Sequence, residues 1–174
     1  MTQYIALFRG INVGGNNILP MKELVALLQG LGCTDVKTYI QSGNAVFSIA
    51  QEDKDKLADA IGAAIQQSHG FQPKVLLLTA SELKDAHAGS PFQTTEGKAL
   101  HFYFLASTPT DPNLAALEEL KSNGEDYLLG NSVFYLYAPN GIGRSKLAEK
   151  VERLLGVPVT ARNLNTVNKL ISMI

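Results

Sequence analysis

The sequence predicts an α+β fold made of two ferredoxin-like (split βαβ) modules, each an antiparallel sheet with helices packed on it. Three observations lead there. Residues 1–80 read as strand, helix, strand, strand, helix, strand; the same order begins again near residue 99; and a Gly-, Ser-, Pro- and Thr-rich connection lies between the two runs. The expected division is a module with a Gly/Asn-rich loop over 1–80, a linker with a short helix over 81–98, and a second module over 99–174 with an added C-terminal helix.

Gln3 to Phe8 is short and apolar and ends at Arg9, the pattern of a buried strand. The stretch RGINVGGNN from Arg9 to Asn17 is too rich in glycine and asparagine to be core. Pro20 suits the first position of a helix, where its missing N–H is no loss. Met21, Leu24, Val25, Leu28 and Leu31 then recur at helical spacing, and Gly32 supplies the stop. Val36 to Gln41 and Ala45 to Ile49 are rich in strand formers, and Ser42-Gly43-Asn44 between them is turn chemistry, so a hairpin is expected. A polar patch from Gln51 to Lys56 opens a helix with Leu57, Ile61, Ala64 and Ile65 on one face, ending near His69-Gly70. Lys74 to Thr79 is the fourth strand.

A short helical piece, Glu82 to His87, leads into the connection. The second series has strands at Leu100 to Ala106, Asp126 to Leu129 and Val133 to Tyr137, with Asn131-Ser132 as a two-residue turn. Asp111-Pro112 reads as cap and first position of a helix to Lys121. Lys146 to Leu155 is an amphipathic helix capped by Ser145, and an extended piece, Val157 to Thr160, precedes a last helix with Leu164, Val167, Leu170 and Ile171 on one side. The halves share architecture with little residue identity.

In a split βαβ unit the first two strands point the same way. The loop after the first strand and the hairpin joining the next two therefore meet at one end of the sheet. That geometry defines a candidate pocket for a small phosphorylated or carboxylated metabolite. Arg9 would supply charge, Asn12, Gly14 and Gly15 amide and backbone contacts, and Gln41, Ser42 and Asn44 the opposite wall. Arg162, Asn163 and Asn165, crowded at the start of the last helix, complete the candidate set, although Asn163 also reads as that helix's cap. The plain alternative is a loop that needs glycine for sharp turns; no G-x-G-x-x-G and no Gly-Lys-Ser/Thr occurs.

With the loops placed, ALFRGINVGG from Ala6, TYIQSGNAVF from Thr38 and TARNLNTVNKL from Thr160 together resemble an uncharacterised bacterial family, domain of unknown function 1697. The resemblance extends over nearly the whole chain. It implies a two-part α+β protein with ferredoxin-like halves and brings no known activity. The family commonly carries Trp where this chain has Leu164.

Composition narrows the remaining classes. Fifteen Lys and Arg against 16 Asp and Glu give a formal net charge of -1, so the sequence disfavours a phosphate-backbone binder. Cys33 is the one cysteine, which permits no intrachain disulfide and suits a reducing cytosol. The N-terminal stretch lacks a signal peptide's basic lead and cleavage site, and no apolar run approaches spanning length. A cytoplasmic protein without membrane, metal or cofactor is expected. His69, His87 and His101 show no metal-pair spacing, and no G-x-S-x-G occurs, so no catalytic constellation is legible.

Two further readings stay open. Phe102, Phe104, Tyr135 and Tyr137 recur with period two on two strands; exposed beside Lys or Arg they would make an RNA- or protein-binding sheet face, whereas core packing explains them otherwise. Alternatively, the motifs are purely structural, which buried, internally bonded side chains at Arg9, Gln41 and Arg162 would favour.

Overall fold

The computed structural model describes residues 1–122 and 124–174. In chain order its elements are β1 (Thr2–Arg9), α1 (Met21–Gly30), β2 (Thr34–Thr38), β3 (Asn44–Ile49), α2 (Lys54–His69), β4 (Lys74–Thr79), α3 (Ala80–Ala88), β5 (Leu100–Leu105), α4 (Leu114–Leu120), β6 (Asp126–Leu129), β7 (Val133–Tyr137), α5 (Lys146–Leu155), β8 (Val159–Asn163) and α6 (Leu164–Met173). They form two compact units, Met1–Lys84 with Leu170–Ile174, and Asp85–Lys169. Each unit holds a four-stranded sheet, ordered β2-β3-β1-β4 and β6-β7-β5-β8, with antiparallel neighbours throughout. The α+β class and the split βαβ order expected from the sequence are those observed.

In the first unit, alternation along β1 turns Tyr4, Ala6 and Phe8 to one face. There they pack with Leu24 and Leu28 of α1 and with Leu57, Ile61 and Ile65 of α2. Each of the Leu, Ile and Phe side chains among them, fully buried, contributes about 1.5–3 kcal/mol of transfer free energy. The second unit repeats the plan: Tyr103 and Phe134 meet edge to face, and Leu117 of α4 with Leu147 and Val151 of α5 close the core. Tyr4 lies opposite Phe47 across the first sheet as Tyr103 lies opposite Phe134 across the second. The repeat thus extends to one residue pair.

Helix ends are fixed by local chemistry. Asp53 accepts from the N–H groups of Asp55 and Lys56 at the start of α2, and Gly70, at φ 79°, closes it in the left-handed region. At the start of α3, Glu82 accepts from Thr79 N–H at 2.8 Å and Thr79 Oγ1 from Glu82 N–H at 3.1 Å, a capping box. Ser145 caps α5 as its sequence suggested, accepting from Ala148 N–H at 3.0 Å.

Several boundaries move. Pro20 is the residue before α1, extended at ψ 140°, and the helix begins at Met21. Asn113, not Asp111, caps α4, accepting from Ala116 N–H. The short helix before the connection is longer, Ala80–Ala88, because the capping box starts it directly from β4. The second strand ends at Thr38 instead of Gln41 because Tyr39 is held by the hairpin turn. The last strand continues through Asn163, which pairs with His101 of β5.

Candidate functional site

The end of the first sheet is assembled by asparagine. Asn12, at φ 53°, donates from Nδ2 to Leu19 O and to Gln41 O, both at 2.8 Å, and accepts Leu19 N–H on Oδ1 at 2.8 Å. One side chain therefore closes the loop on itself and ties it to the β2–β3 turn. Inside the loop, Val13 and Asn16 pair across Gly14 and Gly15, whose φ values of 56° and 78° are those of a type I′ turn. Asn17 Nδ2 donates to Gly10 O at 3.0 Å. The loop is a miniature hairpin, and its glycines are needed for the turn.

Across from it, buried Asn44 donates to Tyr39 O at 2.9 Å and accepts Tyr39 N–H on its own carbonyl at 2.9 Å. Gly43 sits at φ 96° where a Cβ would lie 2.6 Å from Ile11 Cδ1 and 2.8 Å from Phe8 Cβ, so both conformation and space require glycine. Gln41 and Ser42 are exposed at the turn, and Arg9 is half-buried at the end of β1. Loop and turn are thus neighbours, with Asn12 and Asn44 engaged in backbone hydrogen bonds.

Arg162, Asn163 and Asn165 lie in the second unit. Arg162 stands opposite Phe102 on β8, donates from Nη1 to Ala161 O at 2.8 Å, and burial pushes its pKa down to about 10. Asn163 caps α6 by accepting Thr166 N–H at 3.0 Å. Asn165 packs against Gly97, where any Cβ would overlap its amide, while Leu164 N–H donates to Gly97 O at 3.1 Å. These contacts hold the connection after α3 against the start of α6.

That connection and the two helix ends border an open cleft of about 920 Å³, within the roughly 300–1,000 Å³ usual for small-molecule sites. Phe102 borders it but is fully buried. The His87 ring lies parallel to Phe102, 2° from coplanar with centroids 6.5 Å apart, and His87 Nε2 is 2.9 Å from Asn168 Oδ1. With a carbonyl oxygen as partner, the imidazole N–H is the donor. The end of α3 is pinned by Tyr135, whose hydroxyl donates to Ala86 O at 2.6 Å, and a Cβ at Gly89 would come 2.9 Å from that hydroxyl. Phe92 stacks on Tyr137, centroids 5.7 Å apart, and Ser90 ties back to Phe92 through both its backbone groups.

The aromatic row is therefore covered. Phe102, Phe104 and Tyr135 are buried and Tyr137 is half-buried, so this face presents no solvent-facing stacking platform. Among the described residues, no three His, Cys, Asp or Glu side chains group to hold a metal ion. Sequence reasoning missed His87 and Asn168 as a pair, since they are 81 positions apart and become partners only when α3 and α6 flank one sheet face. The available signal was Asn168 within TARNLNTVNKL.

The architecture has a solved counterpart. The chain is similar to the conserved bacterial protein SP0830 from Streptococcus pneumoniae, with 26% identity and a TM-score of 0.74 over 99% of this chain and 98% of that one. No curated protein matches the sequence. A family model described as a protein of unknown function, DUF1697, matches residues 1–135. The chain belongs to that family.

Proposed function

We propose that this protein is a cytosolic small-molecule-binding protein whose ligand occupies the cleft over Phe102. The observation that carries the reading is the His87–Asn168 pair, two hydrogen-bonding side chains held 2.9 Å apart at the edge of a cleft of mixed polar and apolar lining. Polar side chains from His87 to Thr95 and at Asn168 share the lining with apolar Ala88, Phe92, Leu100 and Leu164, so a ligand there meets both hydrogen-bonding and apolar groups. The cytosolic part is supported by a single, buried, unpaired Cys33. Among the described residues no helix is long and apolar enough to cross a membrane.

A second reading keeps a small phosphorylated or carboxylated metabolite at the end of the first sheet. It is favoured by the Asn12–Gln41 bond, which places the loop carrying Arg9, Gly14 and Gly15 beside exposed Gln41 and Ser42. One experiment separates the two. A ligand bound only by the folded state raises the melting temperature, so a thermal-shift screen of metabolites is run on wild type, Asn168→Ala and Arg9→Ala. A shift abolished in Asn168→Ala and kept in Arg9→Ala supports the cleft. The reverse pattern supports the sheet end, and no shift from any compound leaves the motifs as architecture.

A further inference from the structure

We propose a second binding site, independent of the cleft: a groove between α1 and α2 of the first unit that takes a small aliphatic amine in its ammonium form. The groove encloses about 430 Å³, within the range usual for small-molecule sites. Leu27, Gly30 and Leu31 at the end of α1 and Ala64 of α2 line it, and Glu23 and His69 stand together at its other end. Positions 23, 27, 30 and 31 recur at helical spacing, so they form one stripe roughly 12 Å long, enough for a short alkyl chain. Leu27, Leu31 and Ala64 are only half-buried, which leaves apolar surface that a ligand can take out of water.

The polar end selects the head group. Ser68 Oγ donates its only proton to Ala64 O at 2.9 Å, and so accepts from His69 Nδ1–H at 2.6 Å. In the neutral ring Nε2 is then an acceptor. It lies 3.7 Å from Glu23 Oε2, too far for a hydrogen bond between the two. Two acceptors side by side at the end of an apolar stripe are the complement of a cationic head group that only donates. An alkylammonium has three N–H donors and no acceptor, so one nitrogen can donate to Glu23 and His69 together while its chain covers Leu27 and Leu31. An alcohol has one proton to give, and a carboxylate would meet like charge on Glu23. The Glu23 side chain is 55% exposed, so its charge adds modestly to what the apolar stripe supplies.

The test uses three probes that share a chain and differ in the head: hexylamine, hexanol and hexanoate, titrated at pH 8, where the amine is protonated, into the full-length, isotope-labelled protein and followed by backbone amide signals. Expected is movement of the signals from Leu27, Gly30 and Ala64, with hexylamine binding about fivefold tighter than hexanol and at least about tenfold tighter than hexanoate. Glu23→Gln, at an exposed position, should bring hexylamine down to the affinity of hexanol. Gly30 has a helical backbone and open space where a Cβ would stand, so Gly30→Leu keeps the fold and fills the groove, and those movements should disappear in it. Hexanol or hexanoate binding as tightly as hexylamine would overturn the ligand class. No movement of these signals, or movement that persists in Gly30→Leu, would overturn the site.

Discussion

At the residue scale, His101 shows how one buried group couples the protein to pH. It lies on β5 with 7% of its surface exposed, opposite Leu136 on β7 and Asn163 on β8, and its Nδ1 has no hydrogen-bond partner among the described residues. Burial holds its pKa below the ordinary histidine value of 6.5. The unfolded chain therefore takes up this proton first as pH falls. Stability is full above the unfolded value, declines below it, and reaches its floor once pH has dropped through the folded value. Urea midpoints measured at pH 7.5 and pH 5 should fall further for wild type than for His101→Leu; equal falls would show that His101 titrates normally. Nothing in the sequence marked His101, because period-two alternation shows which face a residue takes but not whether its ring nitrogens find partners. Asn12 and Asn44 were legible as unusual, yet whether an asparagine amide faces a ligand or its own backbone depends on a φ angle that composition does not encode.

The β2–β3 hairpin carries the same argument at the scale of an element. Val36 to Gln41 looks like continuous strand because Val, Thr, Tyr and Ile all favour it. The chain leaves the ladder after Thr38 because Asn44 captures Tyr39, and Ile40 to Gly43 then close a turn with Gly43 N–H on Ile40 O at 3.3 Å. That turn forces Ile40 to φ 51° with 47% of its surface exposed. A β-branched residue in the left-handed region is strained by roughly 1–2 kcal/mol, and so exposed a side chain recovers little of this by burial. Ile40→Asn should therefore stabilise the protein by about 1 kcal/mol, raising Tm by roughly 2–4 °C for a chain of this length. Calorimetry showing no rise, or a fall, would mean that Ile40 makes apolar contacts worth more than the strain. Where a cap or turn residue acts alone, as Ser145 and Gly70 do, the element was legible; where two distant residues cooperate, as Tyr39 and Asn44 do, it was not.

For the whole molecule, the split βαβ order was legible twice because each strand and helix carries its own periodicity, and the topology rule alone sets loop and hairpin together at one end of the sheet. The cleft was not, since it needs α3, β5 and α6 at once. The same scale governs what the surface attracts. Fifteen cationic side chains against 16 anionic ones leave a net charge of -1, and the aromatics that would stack bases are buried at Phe102, Phe104 and Tyr135. Binding to a phosphate backbone gains its free energy from counterions displaced by Lys and Arg, so a protein with no cationic excess gains little from this source. Fluorescence anisotropy with a short uridine oligonucleotide and with duplex DNA at about 0.15 M salt should show dissociation constants weaker than about 10⁻⁴ M, the upper end of non-specific binding. Lowering the salt should tighten binding only slightly, because few phosphates are neutralised. Micromolar binding with a steep salt dependence would reveal a local basic surface that the balanced total conceals, and would shift the search for partners from small molecules to RNA.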